Sequence, residues 1–153
     1  MKRGISLELP NEYGTFLSEI LKPIDITAYN WKIGAGESYK VIHDKLGEDF
    51  FDARRVMTGA QLEKHLKLSR QYLIFVDLKA FNGIRIEDIH TYEGFLESSC
   101  EIILLVVDSC DVTIYCKNQV KLELLYENSR QLGFHQVSYI TDESDTRTSL
   151  SAW

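Results

Sequence analysis

The sequence is short of several things, and each shortage excludes a class of protein. It holds only 2 prolines and 9 glycines in 153 residues. That leaves no room for a long linker, so the length reads as one domain. Its 3 cysteines, Cys100, Cys110 and Cys116, are odd in number and form no Cys-x-x-Cys pair. Neither a disulfide framework nor a zinc site is indicated, and free thiols predict a reducing, cytoplasmic setting. The longest uninterrupted apolar run covers 102–107, far below the roughly 20 residues of a membrane helix. Lys2 and Arg3 open the chain, but Glu8 and Pro10 interrupt the apolar stretch that a signal peptide requires. Positive charge is the last deficit: 17 Lys and Arg stand against 23 Asp and Glu, a net of -6. No basic stripe interleaved with aromatics occurs. Since nucleic-acid affinity comes largely from Lys and Arg displacing counterions, nucleic-acid binding is not expected.

What is present is enough apolar surface to fold without a staple. The chain is 44% hydrophobic, and at this length a domain buries about 68–70% of its unfolded surface. Ile5, Leu7 and Leu9 alternate with Ser6 and Glu8, which predicts a half-buried strand over 4–9. Asn11 is placed to cap a helix carrying Tyr13, Phe16, Leu17, Ile20 and Leu21, and Pro23 stops it. Ile24, Ile26 and Ala28 alternate, then Tyr29, Trp31 and Ile33 on the opposite parity, so a strand with a bulge near 28–29 is expected. Gly34-Ala35-Gly36 reads as a turn, with Tyr39 and Val41 in its hairpin partner. The stretch 44–56 reads as loop with one short strand.

Thr58-Gly59-Ala60-Gln61 fits a capping box that opens a helix. A buried strand over 72–78 is interrupted by Asp77, Asn82-Gly83 marks a tight turn, and 91–98 suits a short helix with Tyr92, Phe95 and Leu96 inward. The run 101–107 predicts the central strand, joined through a turn at Asp108-Ser109-Cys110-Asp111 to an alternating strand with Val112, Ile114 and Cys116. Asn118 caps a helix bearing Leu122, Leu125, Tyr126 and Leu132, which Gly133 and Phe134 are placed to close in a Schellman ending. A last strand covers 137–141. The acidic tail 142–153 either docks on the body through Leu150 and Trp153 or forms a disordered end. The fold class that follows is α+β: a single domain over 1–141 with a mixed, mostly antiparallel sheet and three to four helices mainly on one face. Doubly wound α/β is the alternative.

Two sets of residues bear on chemistry. Asp77 and Asp108 belong to apolar strands, and with Asp111 they form a candidate Mg²⁺ site, because hard cations take oxygen ligands. The competing reading makes Asp108 a turn residue and pairs Asp77 with Lys79 or Arg85. Tyr29, Trp31 and Tyr39 form a candidate binding cluster if their sheet face is exposed, and ordinary core if it is covered. The four histidines, His43, His65, His90 and His135, show no metal-ligand spacing, and His65 reads as a hydrogen-bonded structural residue. No cofactor motif appears.

Several strings together resemble a family of small uncharacterised proteins of Bacillus and relatives, classed as a domain of unknown function. They are Met1-Lys2-Arg3-Gly4-Ile5, Pro10-Asn11-Glu12-Tyr13-Gly14, Ile20-Leu21-Lys22-Pro23, Asp77-Leu78-Lys79, Tyr115-Cys116-Lys117, Tyr139-Ile140-Thr141-Asp142-Glu143, Arg147-Thr148 and Trp153. The resemblance spans nearly the whole chain and brings no catalytic residues. It implies an immunity-type role, in which an acidic protein neutralises a basic toxin domain. The expected function is therefore non-enzymatic binding of a protein partner of basic character, with no membrane or nucleic-acid partner, and the oligomeric state is open. The alternative is a small Mg²⁺-dependent enzyme using strand-end carboxylates. The first reading carries a further expectation: polar groups serve solubility, capping and turns, and none converge into a reactive cleft.

Overall fold

In the computed structural model, residues 1–52 and 55–152 are described; Ala53, Arg54 and Trp153 lie outside them, and so does the Trp153 part of the docking reading. The elements run β1 (Lys2–Glu8), α1 (Phe16–Ile20), β2 (Asn30–Ile33), β3 (Glu37–Ile42), β4 (Lys45–Asp49), β5 (Val56–Thr58), α2 (Gly59–Leu66), β6 (Arg70–Phe81), α3 (Tyr92–Glu97), β7 (Cys100–Val107), β8 (Asp111–Cys116), α4 (Gln119–Gln131) and β9 (His135–Thr141). They form an α+β fold around a 9-stranded sheet ordered β4-β3-β6-β7-β8-β1-β9, with β2 beside β6 and β5 outside β2. All strand pairings among the described residues are antiparallel. A doubly wound sheet needs parallel strands, so that alternative is overturned.

The local signals behave as their chemistry dictates. Thr58 accepts from the Gln61 amide at 3.2 Å while the Gln61 side chain accepts from the Thr58 amide at 3.0 Å, closing the capping box on α2. Asn118 caps α4 by accepting from the Lys121 amide. At the other end of α4, Gly133 takes φ +81 and its amide donates to the Arg130 carbonyl, while the Phe134 amide donates to Ser129. Those are the two bonds of a Schellman ending. Strand β7 is buried on both faces, which is why its sequence is a continuous apolar run. Ile102, Leu104 and Val106 join a core with Leu17, Leu62 and Leu122 of α1, α2 and α4. Ile103 and Leu105 project the other way, into a smaller cluster with Phe95 of α3, Tyr115 and Leu150. Leu96 is 49% exposed rather than inward.

Other elements differ from the sequence reading. Helix α1 starts after Thr15, and Asn11 instead accepts a hydrogen bond from the Tyr72 hydroxyl. Residues Ile26–Ala28 form a 3-10 turn whose Thr27 amide donates to the Asp25 carboxylate, so the expected bulged strand is confined to β2. The one short strand expected in 44–56 is present as β4, and what the sequence did not show is that it is the returning arm of a hairpin with β3. It is reached through His43 and Asp44, which both take positive φ (52 and 60), as a two-residue turn of the favoured twist requires.

The largest correction concerns 29–42. Strands β2 and β3 do not pair with each other. They lie end to end along one edge of β6, with Ile33 opposite Leu78 and Glu37 opposite Phe75. Gly34 and Gly36 permit close approach rather than chain reversal. A Cβ on Gly34 would lie 2.7 Å from Asp77 Cγ, and one on Gly36 would lie 2.5 Å from the Phe75 carbonyl oxygen. Replacing Gly36 by Ala is therefore expected to destabilise the fold by about 1–3 kcal/mol through forced backbone displacement, read as a lowered urea midpoint at unchanged slope.

The three cysteines are free, and Cys100 and Cys116 are buried. Burial pushes the Cys100 thiol up to about 12 and the Cys116 thiol up to about 11. Since the thiolate is the reactive form, iodoacetamide at about pH 8 is expected to modify Cys110 alone in the folded protein, and all three thiols only in denaturant. Mass spectrometry of the labelled chain checks it. Raised thiol pKa values also mean that these two groups favour the fold below the thiol range of the unfolded chain, and that this contribution is lost as pH rises above it.

Candidate functional site

The break between β2 and β3 leaves a notch in the sheet edge, and two cavities meet there. Ile33, Gly34, Ala35 and Asp77 line both. The larger encloses about 680 Å³ and is completed by Lys32, Lys79, Asp88, Ile89, His90 and Ser151. The smaller, about 250 Å³, adds Glu37, Asp49 and Asp52 beside Phe51 and Phe75. The larger lies in the size range of ligand sites. The expectation that titratable groups do not converge is thereby corrected: five of them, Lys32, Asp77, Lys79, Asp88 and His90, share one cavity wall.

Their geometry follows from strand periodicity. Asp77 and Lys79 are two residues apart on β6, so they project from the same face. Lys79 Nζ donates to Asp77 Oδ1 at 2.6 Å, and both residues are only 6% exposed. Lys32 stands opposite Lys79 in the β2–β6 register and is ion-paired with Asp88 at the rim. That hydrogen bond, with the Coulomb attraction behind it, holds the Asp88 carboxyl below the usual carboxylate range. His90 is exposed, and its carbonyl accepts from the Leu150 amide.

The residues singled out in the sequence fare differently. Asp77 forms the floor of the notch, bound to Lys79 as the competing reading had it. Asp108 does not approach it. The register places Asp77 opposite Leu105, while Asp108 sits at the exposed tip of the β7–β8 turn at φ +51, a conformation that aspartate tolerates. Asp111 starts β8 opposite Val107 and Glu8. The three carboxylates are not brought together, and among the described residues no group of three His, Cys, Asp or Glu side chains is placed to hold a metal. Tyr29 and Trp31 are core: 7% and 0% exposed, edge to face at 6.0 Å, with the Trp31 indole donating to the Ile26 carbonyl. Tyr39 lies apart from them, half-buried and donating to Glu37 at 2.5 Å, which raises its hydroxyl pKa. His65 is structural, with its ring nitrogen on the Phe50 carbonyl.

A second polar cluster carried no signal in the sequence. Arg3 of β1 donates to Asp142 at 2.8 Å and to Asp145 at 3.2 Å, and stacks over the Tyr92 ring at 4.0 Å. The Tyr115 hydroxyl donates to both oxygens of Asp145, at 3.0 and 3.1 Å. Burial first, and then Asp145, raises the Tyr115 hydroxyl pKa. This cluster anchors the segment that carries Leu150 and Ser151 to the rim of the larger cavity.

An α+β fold with an antiparallel sheet and an edge cleft defines a small globular protein. The chain belongs to DUF2691, a family of proteins of unknown function whose model matches residues 2–151. It is similar to the uncharacterized protein YncE of Bacillus subtilis strain 168, 47% identical over 153 residues, which is 99% of each chain. No solved structure matches it significantly. Among the described residues, no helix is long and apolar enough to cross a membrane.

The buried pair makes a stability prediction. Asp77→Asn leaves the Lys79 ammonium buried without its counter-charge, which costs roughly 3–5 kcal/mol. Replacing both residues, Asp77→Leu with Lys79→Met, is expected to cost much less than the sum of the single changes. A double-mutant cycle in urea measures the coupling.

Proposed function

We propose that this protein is a non-enzymatic binding module that works in a reducing, cytoplasmic setting and receives a basic segment of a protein partner at the β2–β3 notch. The observation that carries the reading is the smaller cavity. Glu37, Asp49 and Asp52 line it with Asp77; Asp77 and Asp52 are paired with Lys79 and Arg55, which are not part of the lining, so Glu37 and Asp49 carry its negative charge with no lysine or arginine on the cavity wall among the described residues. Its remaining wall includes Phe51, Phe75 and Ile33. A long basic side chain suits that combination, since its aliphatic stem covers apolar surface, its cation lies over ring faces and its charge meets carboxylates. A net charge of -6 adds long-range attraction for such a partner. The finer form of this reading is an immunity-type protein that neutralises a basic toxin domain. The acidity and the acidic notch support it, and the free cysteines support the compartment.

A second reading, an enzyme, is favoured by the five titratable groups of the larger cavity. It ranks lower because the two buried groups neutralise each other and the rim is wet: the Asp88 side chain is 77% exposed. Its Mg²⁺-dependent form needs Asp77, Asp108 and Asp111 in one place, and the strand register keeps them apart.

The test is a titration against the basic toxin domains of the same genome, comparing the native chain with an Asp49→Lys, Asp52→Lys variant. Both positions are exposed, so the fold is expected to survive. The reversal is expected to weaken binding about tenfold or more, and affinity for the native chain to fall as ionic strength rises. Equal affinity for the two chains, or no binding at micromolar concentration, removes the reading.

A further inference from the structure

The larger cavity carries a pattern that the acidic notch does not use. Along its wall the charges run Asp77, Lys79, Lys32, Asp88, that is, minus, plus, plus, minus. Asp77 touches Lys79, Lys79 faces Lys32 across the ladder, and Lys32 touches Asp88. Like charges directly opposite each other on neighbouring strands are destabilising. Lys79 is needed as the counter-charge of the buried Asp77, but an apolar side chain in place of Lys32 would remove the repulsion, and so would a carboxylate set between the two ammonium groups.

The spare hydrogen-bonding capacity agrees. An ammonium has three donors. Lys79 gives one to Asp77 and Lys32 one to Asp88, and no other hydrogen bond involves either side chain among the described residues. Asp77 accepts at Oδ1 only, which leaves Oδ2 open. That oxygen lies against the bare Cα of Gly34, where a Cβ would stand 2.8 Å from it. Glycine at 34 therefore leaves space beside Oδ2 that a side chain would fill, although the Asp77 side chain as a whole is only 7% exposed. A simple anion would meet the flanking aspartates, and a simple cation would meet the central lysines. A ligand carrying both charges a short distance apart meets neither objection.

We propose that the larger cavity binds a small zwitterion of the α-amino-acid type. Its carboxylate lies between Lys32 and Lys79, and its ammonium group lies toward Asp77 Oδ2 or Asp88. The site shares Asp77 with the acidic notch, but Asp49 and Asp52 do not line it, so the two readings are tested at different residues. Either reading can fail while the other stands.

The experiment is a thermal-denaturation and calorimetric screen of the intact chain against the twenty common L-amino acids. Glycinamide and N-acetylglycine are included as probes that each keep only one of the two charges. At least one amino acid is expected to give a saturable rise in midpoint of about 3–5 °C at ten times its dissociation constant. The one-charge probes should give none. Lys32→Met removes one arm of the carboxylate clamp at a half-buried rim position and is expected to weaken binding about tenfold. Asp88→Asn, at an exposed position, tests the ammonium side and should weaken it by less. Amino acids at high concentration also stabilise proteins non-specifically, and such a rise would be equal in the native chain and in Lys32→Met. An equal rise in both, binding of glycinamide as tight as that of the amino acid, or no heat of binding at millimolar ligand overturns the proposal.

Discussion

Strand β6 is the constraint on which the other features depend. It is 12 residues long, and a single edge of it must accept two separate strands, β3 at its N-terminal half and β2 at its C-terminal half. Two strands on one line cannot also reverse direction between them, so the three residues that join them must stay extended and lie close against β6. Gly34 and Gly36 meet that need by having no side chain where β6 atoms already are. The gap between the two ladders is what opens the sheet edge. The cleft is thus a consequence of backbone pairing, and side chains only decide what lines it.

Asp77 sits opposite that gap, and this explains why a charged residue is tolerated in an otherwise apolar strand. Its backbone carbonyl accepts from the Gly34 amide at 2.8 Å, so the residue also ties the junction to β6. Its side chain is buried enough to need a counter-charge, and Lys79 supplies one from the same face. A buried pair of this kind adds little net stability compared with apolar residues of similar size. Its presence is better explained by what it offers the cavity: a donor and an acceptor held in fixed positions on a strand that is itself held on both edges.

The parts of the fold that were legible in the sequence are those whose causes are local. The capping box at Thr58 and Gln61, the Asn118 cap and the Gly133–Phe134 ending each depend on a few consecutive residues, and each formed as chemistry predicts. The central position of β7 was legible because a strand covered on both faces has no polar side. Strand partners were not legible. Alternation in 29–33 and 39–41 says that each segment is extended, and it is silent on whether the two pair with each other or with a third strand. Asn11 suits a helix cap, but tertiary pairing delays the helix, since Gly14 is bridged to Gln71, and Thr15 at its start makes no side-chain capping bond. The Asp77–Lys79 pair could be anticipated from a spacing of two on a strand. The approach of Lys32 and Asp88 could not, because it arises from register on one side and a long loop on the other.

The second face of the sheet shows how the remote ends of the fold reach the cleft. Arg3 lies near the start of β1, yet it holds Asp142 and Asp145, and Tyr115 of β8 fixes Asp145 from below. The Arg3–Asp142 pair is solvent-exposed on the aspartate side and adds little by itself. Asp145 differs. Its side chain is only 5% exposed, and charge-assisted hydrogen bonds to a buried carboxylate are among the stronger polar contacts. From that anchor the chain runs to Leu150, which is 2% exposed in the smaller core cluster, and then to Ser151 on the cavity wall. The shape of the larger cavity therefore depends on an ion-pair cluster several strands away on the same face of the sheet, and the same burial that completes the smaller core also sets one wall of the site.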